Sequence, residues 1–195
     1  VRFNYGATVP WVSRLDDGAL SVIAGPERLV LRTAAALSAE DLTTIGEFTV
    51  EAGQSVPFVL SHGASFQDAP AGVDALDALE RTQAFWREWS DRCPEVGPWT
   101  ETVKRSLVTL KALTYAPTGA IAAAGSTSLP ETPGGGRNYD YRFTWIRDAT
   151  FALWGLYSLG FDWEAVDFFA FIADLVEGED DIQIMYGIGG EKELT

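Results

Sequence analysis

Asn138-Tyr139-Asp140-Tyr141-Arg142-Phe143-Thr144-Trp145-Ile146-Arg147-Asp148 alternates aromatic with charged and polar residues, then runs straight into a helical pattern. Sugar recognition calls for such a mixture. A pyranose ring offers apolar C–H faces that pack on Trp or Tyr, and a rim of hydroxyls that want paired donors and acceptors. Arg147 supplies a planar donor fork and Asp148 two acceptor oxygens beside it, so the pair can grip neighbouring hydroxyls and hold each other ionised. A bland reading stands next to this one: Asp148 caps a helix running from Ala149, and Arg147 merely pairs with it. The spacing alone leaves both open.

Downstream, residues 148–159 and 162–177 read as two helices joined tightly enough to form an antiparallel hairpin. Gly160 suits the stop of the first and Asp162 the N-cap of the second, with Phe161 and Val166 placed for a hydrophobic staple. Phe168, Phe169, Phe171, Ile172, Leu175 and Val176 make the second helix apolar on more than one face, which implies neighbours on both sides. The apolar faces of residues 151–159 and 168–176 are expected to be unusually exposed within this chain.

Upstream, residues 116–141 form a long stretch rich in Gly, Pro, Ser and Thr, of a kind that is commonly functional. Leu76, Leu79, Gln83, Trp86 and Trp89 fall near helical spacing after a possible N-cap at Asp74, and Val103, Leu107, Leu110 and Leu113 repeat the pattern after Pro98. Residues 63–72 suggest a linker. Before them, 2–12, 19–24, 28–33, 43–51 and 56–62 alternate as half-buried antiparallel strands, with turns at Asp16-Asp17-Gly18 and Gly25-Pro26-Glu27. That is a β-sandwich pattern with too few strands to close two sheets.

Bulk properties narrow the partners. A formal charge of −14 over 195 residues repels nucleic-acid phosphates and anionic bilayers, so neither nucleic acid nor a membrane surface is an expected partner. An uncharged ligand such as a sugar and a basic protein remain, and charge does not choose between them; simple solubility explains the charge as well. Cys93 is the only cysteine, which excludes an intrachain disulfide framework and favours a reducing, cytoplasmic setting. Beside Pro94 it suits a small buried residue. His62 is the only histidine, at the end of a strand, and leaves a serine triad almost no basis. The loop Pro133-Gly134-Gly135-Gly136-Arg137 lacks the Lys-Ser/Thr pair of a phosphate cradle. No apolar run reaches bilayer length; the opening Val1-Arg2-Phe3-Asn4-Tyr5-Gly6 reads as mid-domain sequence, and the end leads on into further chain.

Thr127-Ser128-Leu129-Pro130-Glu131, then Gly135 through Arg142, then Trp145-Ile146-Arg147-Asp148-Ala149-Thr150 resemble the glucoamylase-type family 15 glycoside hydrolases of bacteria, a group that includes trehalases. The likeness continues through Ser106 to Ala120, Gln183-Ile184-Met185-Tyr186-Gly187-Ile188, Glu47-Phe48-Thr49-Val50 and Phe85-Trp86-Arg87-Glu88-Trp89. It therefore covers essentially the whole chain, with its motifs in order.

The resemblance implies a multidomain β plus α protein: residues 1–66 as the end of an amino-terminal β-supersandwich, 67–97 as linker and linker helix, and 98–195 as the first hairpins of an (α/α)6 toroid. It implies inverting hydrolysis of terminal α-glucosidic bonds in α-glucans or trehalose, without a cofactor or metal, and gives no oligomeric state. Tyr141, Trp145, Arg147 and Asp148 would line the subsite for the non-reducing glucose. Both family glutamates would lie beyond Thr195; Glu131, Glu191 and Glu193 match neither, so no catalytic residue is assigned in this chain and the piece alone is expected to be inactive. The competing expectation is a non-catalytic glucan-sensing or regulatory module of the same shape.

Overall fold

The computed structural model describes residues 1–177 and 181–194. The chain divides into two compact units, Val1–Ala84 and Phe85–Thr195.

The first unit is an antiparallel sheet. Strands β1 (Trp11–Arg14), β2 (Leu20–Ala24), β3 (Glu27–Thr33) and β6 (Phe58–Ala64) lie in the order β1-β2-β3-β6, while β4 (Leu37–Glu40) and β5 (Thr43–Gly46) form a separate hairpin in the connection from β3 to β6. Both expected turns are present. Gly18 (φ +81°) and Gly25 (φ +59°) take the left-handed backbone that a side chain disfavours, and Asp17 closes its turn by accepting the Ala19 N–H at 3.0 Å. That bond, followed by burial acting the other way and the nearby Arg32, leaves the Asp17 carboxyl below its ordinary pKa.

The sheet corrects three expectations. Residues 2–12 do not form one strand: a 3-10 turn at Asn4–Gly6, with Gly6 at φ +93°, folds Phe3 back onto Thr8 in an isolated bridge, and pairing with the sheet starts only past Pro10, which has no N–H to give. The expected strand 43–51 stops at Gly46, and its partner β4 was not foreseen. The supposed linker begins later than Gly63, because β6 runs through Ala64 and Arg28 reaches across to the Ser65 and Gln67 carbonyls at 2.8 and 2.7 Å. Val30, Leu20 and Val22 are buried, but Trp11 is 86% exposed.

Helix α1 (Ala75–Ser90) begins where the sequence suggests, with the Asp74 carboxylate accepting the Leu76 and Asp77 N–H groups, both at 3.0 Å. Its last turn enters the second unit, which continues with α2 (Thr100–Ala112), the short hairpin β7 (Thr114–Tyr115) and β8 (Ala120–Ile121), β9 (Thr144–Trp145), α3 (Ile146–Tyr157), α4 (Trp163–Val176) and β10 (Met185–Tyr186). Gly160 ends the α3 segment at φ +83°, as expected. Asp162 holds the N-cap position of α4 without a side-chain bond, and the staple is absent: Val166 is exposed, while Phe161 is buried against Trp89 with ring centroids 4.5 Å apart. The larger gain from burying an aromatic ring next to another outweighs the local staple.

Ala149, Leu153, Phe168, Phe171 and Leu175 close one core with Ile121 and Tyr186. A second core gathers Trp89, Cys93, Leu107, Leu156 and Phe161. At its edge sits Glu164, 2% exposed, whose Oε1 accepts the Trp89 indole N–H at 2.9 Å and pairs with the Lys111 ammonium at 3.0 Å. Burial alone would raise the Glu164 pKa, but these two donors outweigh it and hold the carboxyl below its ordinary value. The opposite faces of the helices remain open: Phe151 and Trp154 on α3, and Trp163 and Phe169 on α4, are each more than three-fifths exposed. The expectation of open apolar faces thus holds on these sides, whereas Phe168, Phe171 and Leu175 are buried. Among the described residues no helix is long and apolar enough to cross a membrane.

Candidate functional site

The long irregular stretch is ordered by main-chain bonds rather than regular strands. Ala123 and Ala124 donate to the Phe143 and Tyr141 carbonyls at 3.1 and 2.8 Å, and Ser128 donates to Tyr139 O at 2.7 Å. Thr127 and Asp140 form an isolated bridge. Beyond it the tip closes on itself, Glu131 N to Arg137 O at 3.0 Å, with the Arg137 guanidinium 3.6 Å from the Glu131 carboxylate. Residues 120–143 therefore double back on themselves, and the 138–148 segment is one arm of that fold.

A second anchor fixes the end of this arm. β9 pairs with β10, Trp145 opposite Met185 and Thr144 opposite Tyr186, and the Ile146 N–H donates to Ile184 O at 3.1 Å. The Gln183–Ile188 segment, far along the chain, thus sets where α3 starts. Tyr186 is buried and its hydroxyl accepts the Gln183 N–H at 2.8 Å.

Within this frame the four expected side chains form two contacts, Tyr141 with Trp145 and Arg147 with Asp148. Tyr141 and Trp145 meet edge to face with centroids 6.1 Å apart, and Trp145 donates its indole N–H to Asp140 O at 2.9 Å. Arg147 and Asp148 stand in the first turn of α3, paired through Nη2 and Nε at 3.0 and 3.2 Å from Asp148 Oδ2. The capping reading of Asp148 fails on position. The helix starts at Ile146, its N-cap position is Trp145, and Asp148 lies inside the first turn, where its charge still suits the positive end of the helix. The Arg147 side chain is 69% exposed and that of Asp148 35%, so most of the donor fork faces solvent.

Three features escaped the reading of the sequence. Tyr139 completes an aromatic trio, stacked near-parallel on Tyr141 at 6.4 Å and edge-on to Trp145 at 6.3 Å. Its spacing of two from Tyr141 on an extended arm was the available signal. Asp148 also borders a hollow of about 310 Å³ walled by Leu110, Leu113, Ile121 and Phe151, which only the packing of α2 on α3 could reveal. Asp140 is the third: Arg142 donates to it from its main-chain N (3.0 Å) and from Nε (2.9 Å), and chiefly this side-chain bond keeps the Asp140 carboxyl below its ordinary pKa.

The segment thus carries an aromatic cluster and, in the turn of helix that follows, a forked donor paired with a carboxylate acceptor, the residue types that a polyhydroxylated ring calls for. Two of the glutamates weighed from the sequence are engaged elsewhere, Glu131 with Arg137 and Glu191 with the Gly189 N–H at 3.1 Å. Among the described residues no group of three His, Cys, Asp or Glu side chains could hold a metal ion.

Comparison with known proteins agrees with the motif order. The glycosyl hydrolases family 15 profile matches residues 97–195, half of the chain or slightly more. A protein named trehalase from Mycobacterium tuberculosis is 54% identical over 128 residues, covering 63% of this chain and 19% of that protein. The trehalases of Thermoplasma volcanium and Thermoplasma acidophilum are 30% and 31% identical over 98% and 99% of this chain, and over 31% and 33% of their own lengths. The chain thus spans a third or less of these relatives. No solved structure matches it. With the family profile lying over both the aromatic arm and the helix that carries Arg147 and Asp148, the chain belongs to glycosyl hydrolases family 15.

Proposed function

We propose that the full protein hydrolyses trehalose by an inverting mechanism, and that this chain supplies the wall that grips the non-reducing glucose. The observation that carries the reading is an aromatic trio, Tyr139, Tyr141 and Trp145, followed directly along the chain by the Arg147–Asp148 pair in the first turn of α3. The relatives' shared name supports trehalose over longer α-glucans. In this reading Tyr141 and Trp145 cover the ring's C–H face, while Arg147 and Asp148 take its distal hydroxyls.

Inversion needs a carboxylic acid at the leaving oxygen and a carboxylate that activates water on the opposite face, about 6.5–9.5 Å apart. We place both beyond Thr195, so that residues 1–195 alone turn over no substrate. In the same reading the exposed faces of α3 and α4 pack on further hairpins of an (α/α)6 toroid, and the first unit is part of a β-supersandwich. The protein acts in the cytoplasm, where Cys93 stays reduced.

The test is glucose release by the full-length protein. Trehalose should be cleaved with a kcat/KM well above that for maltose or maltotriose, and by NMR the first products should be α- and β-glucose in equal amounts, because the attacked ring is inverted while the leaving glucose keeps its α C1–O bond. A preference for maltooligosaccharides would replace trehalose by α-glucan, and initial release of α-glucose with no β-anomer would rule out inversion.

A further inference from the structure

Trp145 has its indole N–H committed to a main-chain carbonyl, that of Asp140. The donor is therefore spent within the protein, and what the indole can offer a ligand is its ring. Where that ring stands depends on where the Asp140 carbonyl points.

The main chain around Asp140 is held from two sides. The carbonyls of Tyr139, Tyr141 and Phe143 are taken by Ser128, Ala124 and Ala123, and the Tyr139 N–H donates to Ser128 Oγ at 2.7 Å. With the carbonyls on either side engaged by the returning segment, the Asp140 carbonyl is the one that takes the indole N–H. The side chain of Asp140 holds the next peptide: its Oδ1 accepts the Arg142 N–H, an Asx-type closure, and both oxygens take the Arg142 guanidinium. The two side chains are 25% and 48% exposed, and an ion pair so open to water adds little to global stability. Its effect is local and geometric.

We infer that Asp140, clasped by Arg142, is a positioning residue for sugar binding, setting the tilt of the Trp145 ring through its own carbonyl. The inference rests on the glucose-holding role proposed for Trp145. Asp140 itself is turned to Arg142 and needs no contact with substrate.

The experiment is a double-mutant cycle on the full-length enzyme with trehalose, with thermal melts recorded alongside. Loss of a stacking contact shared by ground and transition states raises KM and leaves kcat nearly unchanged. Asp140→Ala should therefore raise KM about tenfold and move kcat less than about twofold, with Asp140→Asn between it and wild type because one oxygen can still accept the Arg142 N–H. Trp145→Phe keeps a ring but has no N–H, so the link to the carbonyl is cut. In that background Asp140→Ala should raise KM by less than about twofold further.

An equal rise in KM in both backgrounds would overturn the inference, as would an unchanged KM for Asp140→Ala. If Asp140→Ala fails to fold, the same cycle with Asp140→Asn and Arg142→Gln decides by the same criterion. Should Trp145→Ala leave KM and kcat unchanged, it is the sugar-holding role of Trp145 that fails, which is a separate result from a failure of Asp140 alone.

Discussion

Glu164 and Asp148 are carboxylates on successive helices of one unit, each next to a cation, and their surroundings are opposite. Glu164 is sealed among Trp89, Lys111 and the second core, with every donor that reaches it contributed by the fold. Asp148 borders an open hollow and pairs with an arginine whose fork faces water. A buried ion pair is committed, since removing either member strands the other in a medium of low polarity. A rim pair contributes little to stability and can exchange its water for ligand hydroxyls. The same residue types thus form a sealed fastening in one place and an open, exchangeable pair in the other.

Glu164→Ala tests the first half and carries the largest expected effect. It leaves Lys111 and the Trp89 N–H without their acceptor, and should destabilise the helical unit by about 3–5 kcal/mol in urea unfolding of the full-length protein. A loss under about 1 kcal/mol would show that water replaces the carboxylate and that the two sites are not so different.

Asp148→Asn tests the second half. It should lower kcat/KM for trehalose by about 2–5 kcal/mol in transition-state binding while leaving the thermal midpoint almost unmoved. Near-normal turnover would remove Asp148 from the glucose site. A drop in stability comparable to that of Glu164→Ala would make it a fastening too.

Acid sharpens the contrast by way of a direction. The folded-state pKa of Glu164 lies below its ordinary value of 4.5, so its stabilising contribution is complete above that value and is lost as pH falls through the lower folded one. Stability of the wild type should therefore fall more steeply below about pH 4.5 than that of Glu164→Gln. Parallel curves from chemical unfolding at a series of pH values would refute this.

The smallest effect is expected at the joint between the two helices. Gly160→Ala places a Cβ at φ +83°, with no neighbour within 4 Å to clash, so only the backbone cost of about 1–2 kcal/mol should appear, as a modest drop in midpoint with kinetics unchanged. A change in KM would mean that the α3–α4 joint communicates with the rim.

What the sequence discloses follows the range of the interactions. The helices, the Asp74 cap, the Gly160 stop and both glycine turns are local, and each could be read from spacing or from a single residue's backbone preference. The β4–β5 hairpin could not, because its loop residues Asp41 and Leu42 both adopt positive φ without the Asn-Gly signature that announces such turns. Glu164 looks like any acidic residue in the first turn of a helix, and only its distant partners Trp89 and Lys111 make it a core residue. The Tyr141–Trp145 and Arg147–Asp148 contacts were legible because each joins residues of one short segment; the hollow beside Asp148 was not, since its other walls come from residues around α2 and β8.

The pairing of β9 with β10 carries a consequence for the order of events during synthesis. Helices α1 to α4 can begin to form as soon as each emerges, whereas the start of α3 gains its last main-chain partner only when Ile184 and Met185 arrive and the intervening hairpin has closed. Closing that loop costs entropy before any bond repays it. On a ribosome adding about 5–20 residues per second, the aromatic arm therefore waits seconds for its clamp, exposed to proteases and chaperones in the meantime. The aromatic arm should be among the last parts of this region to become rigid, and among the first to loosen when the pairing opens.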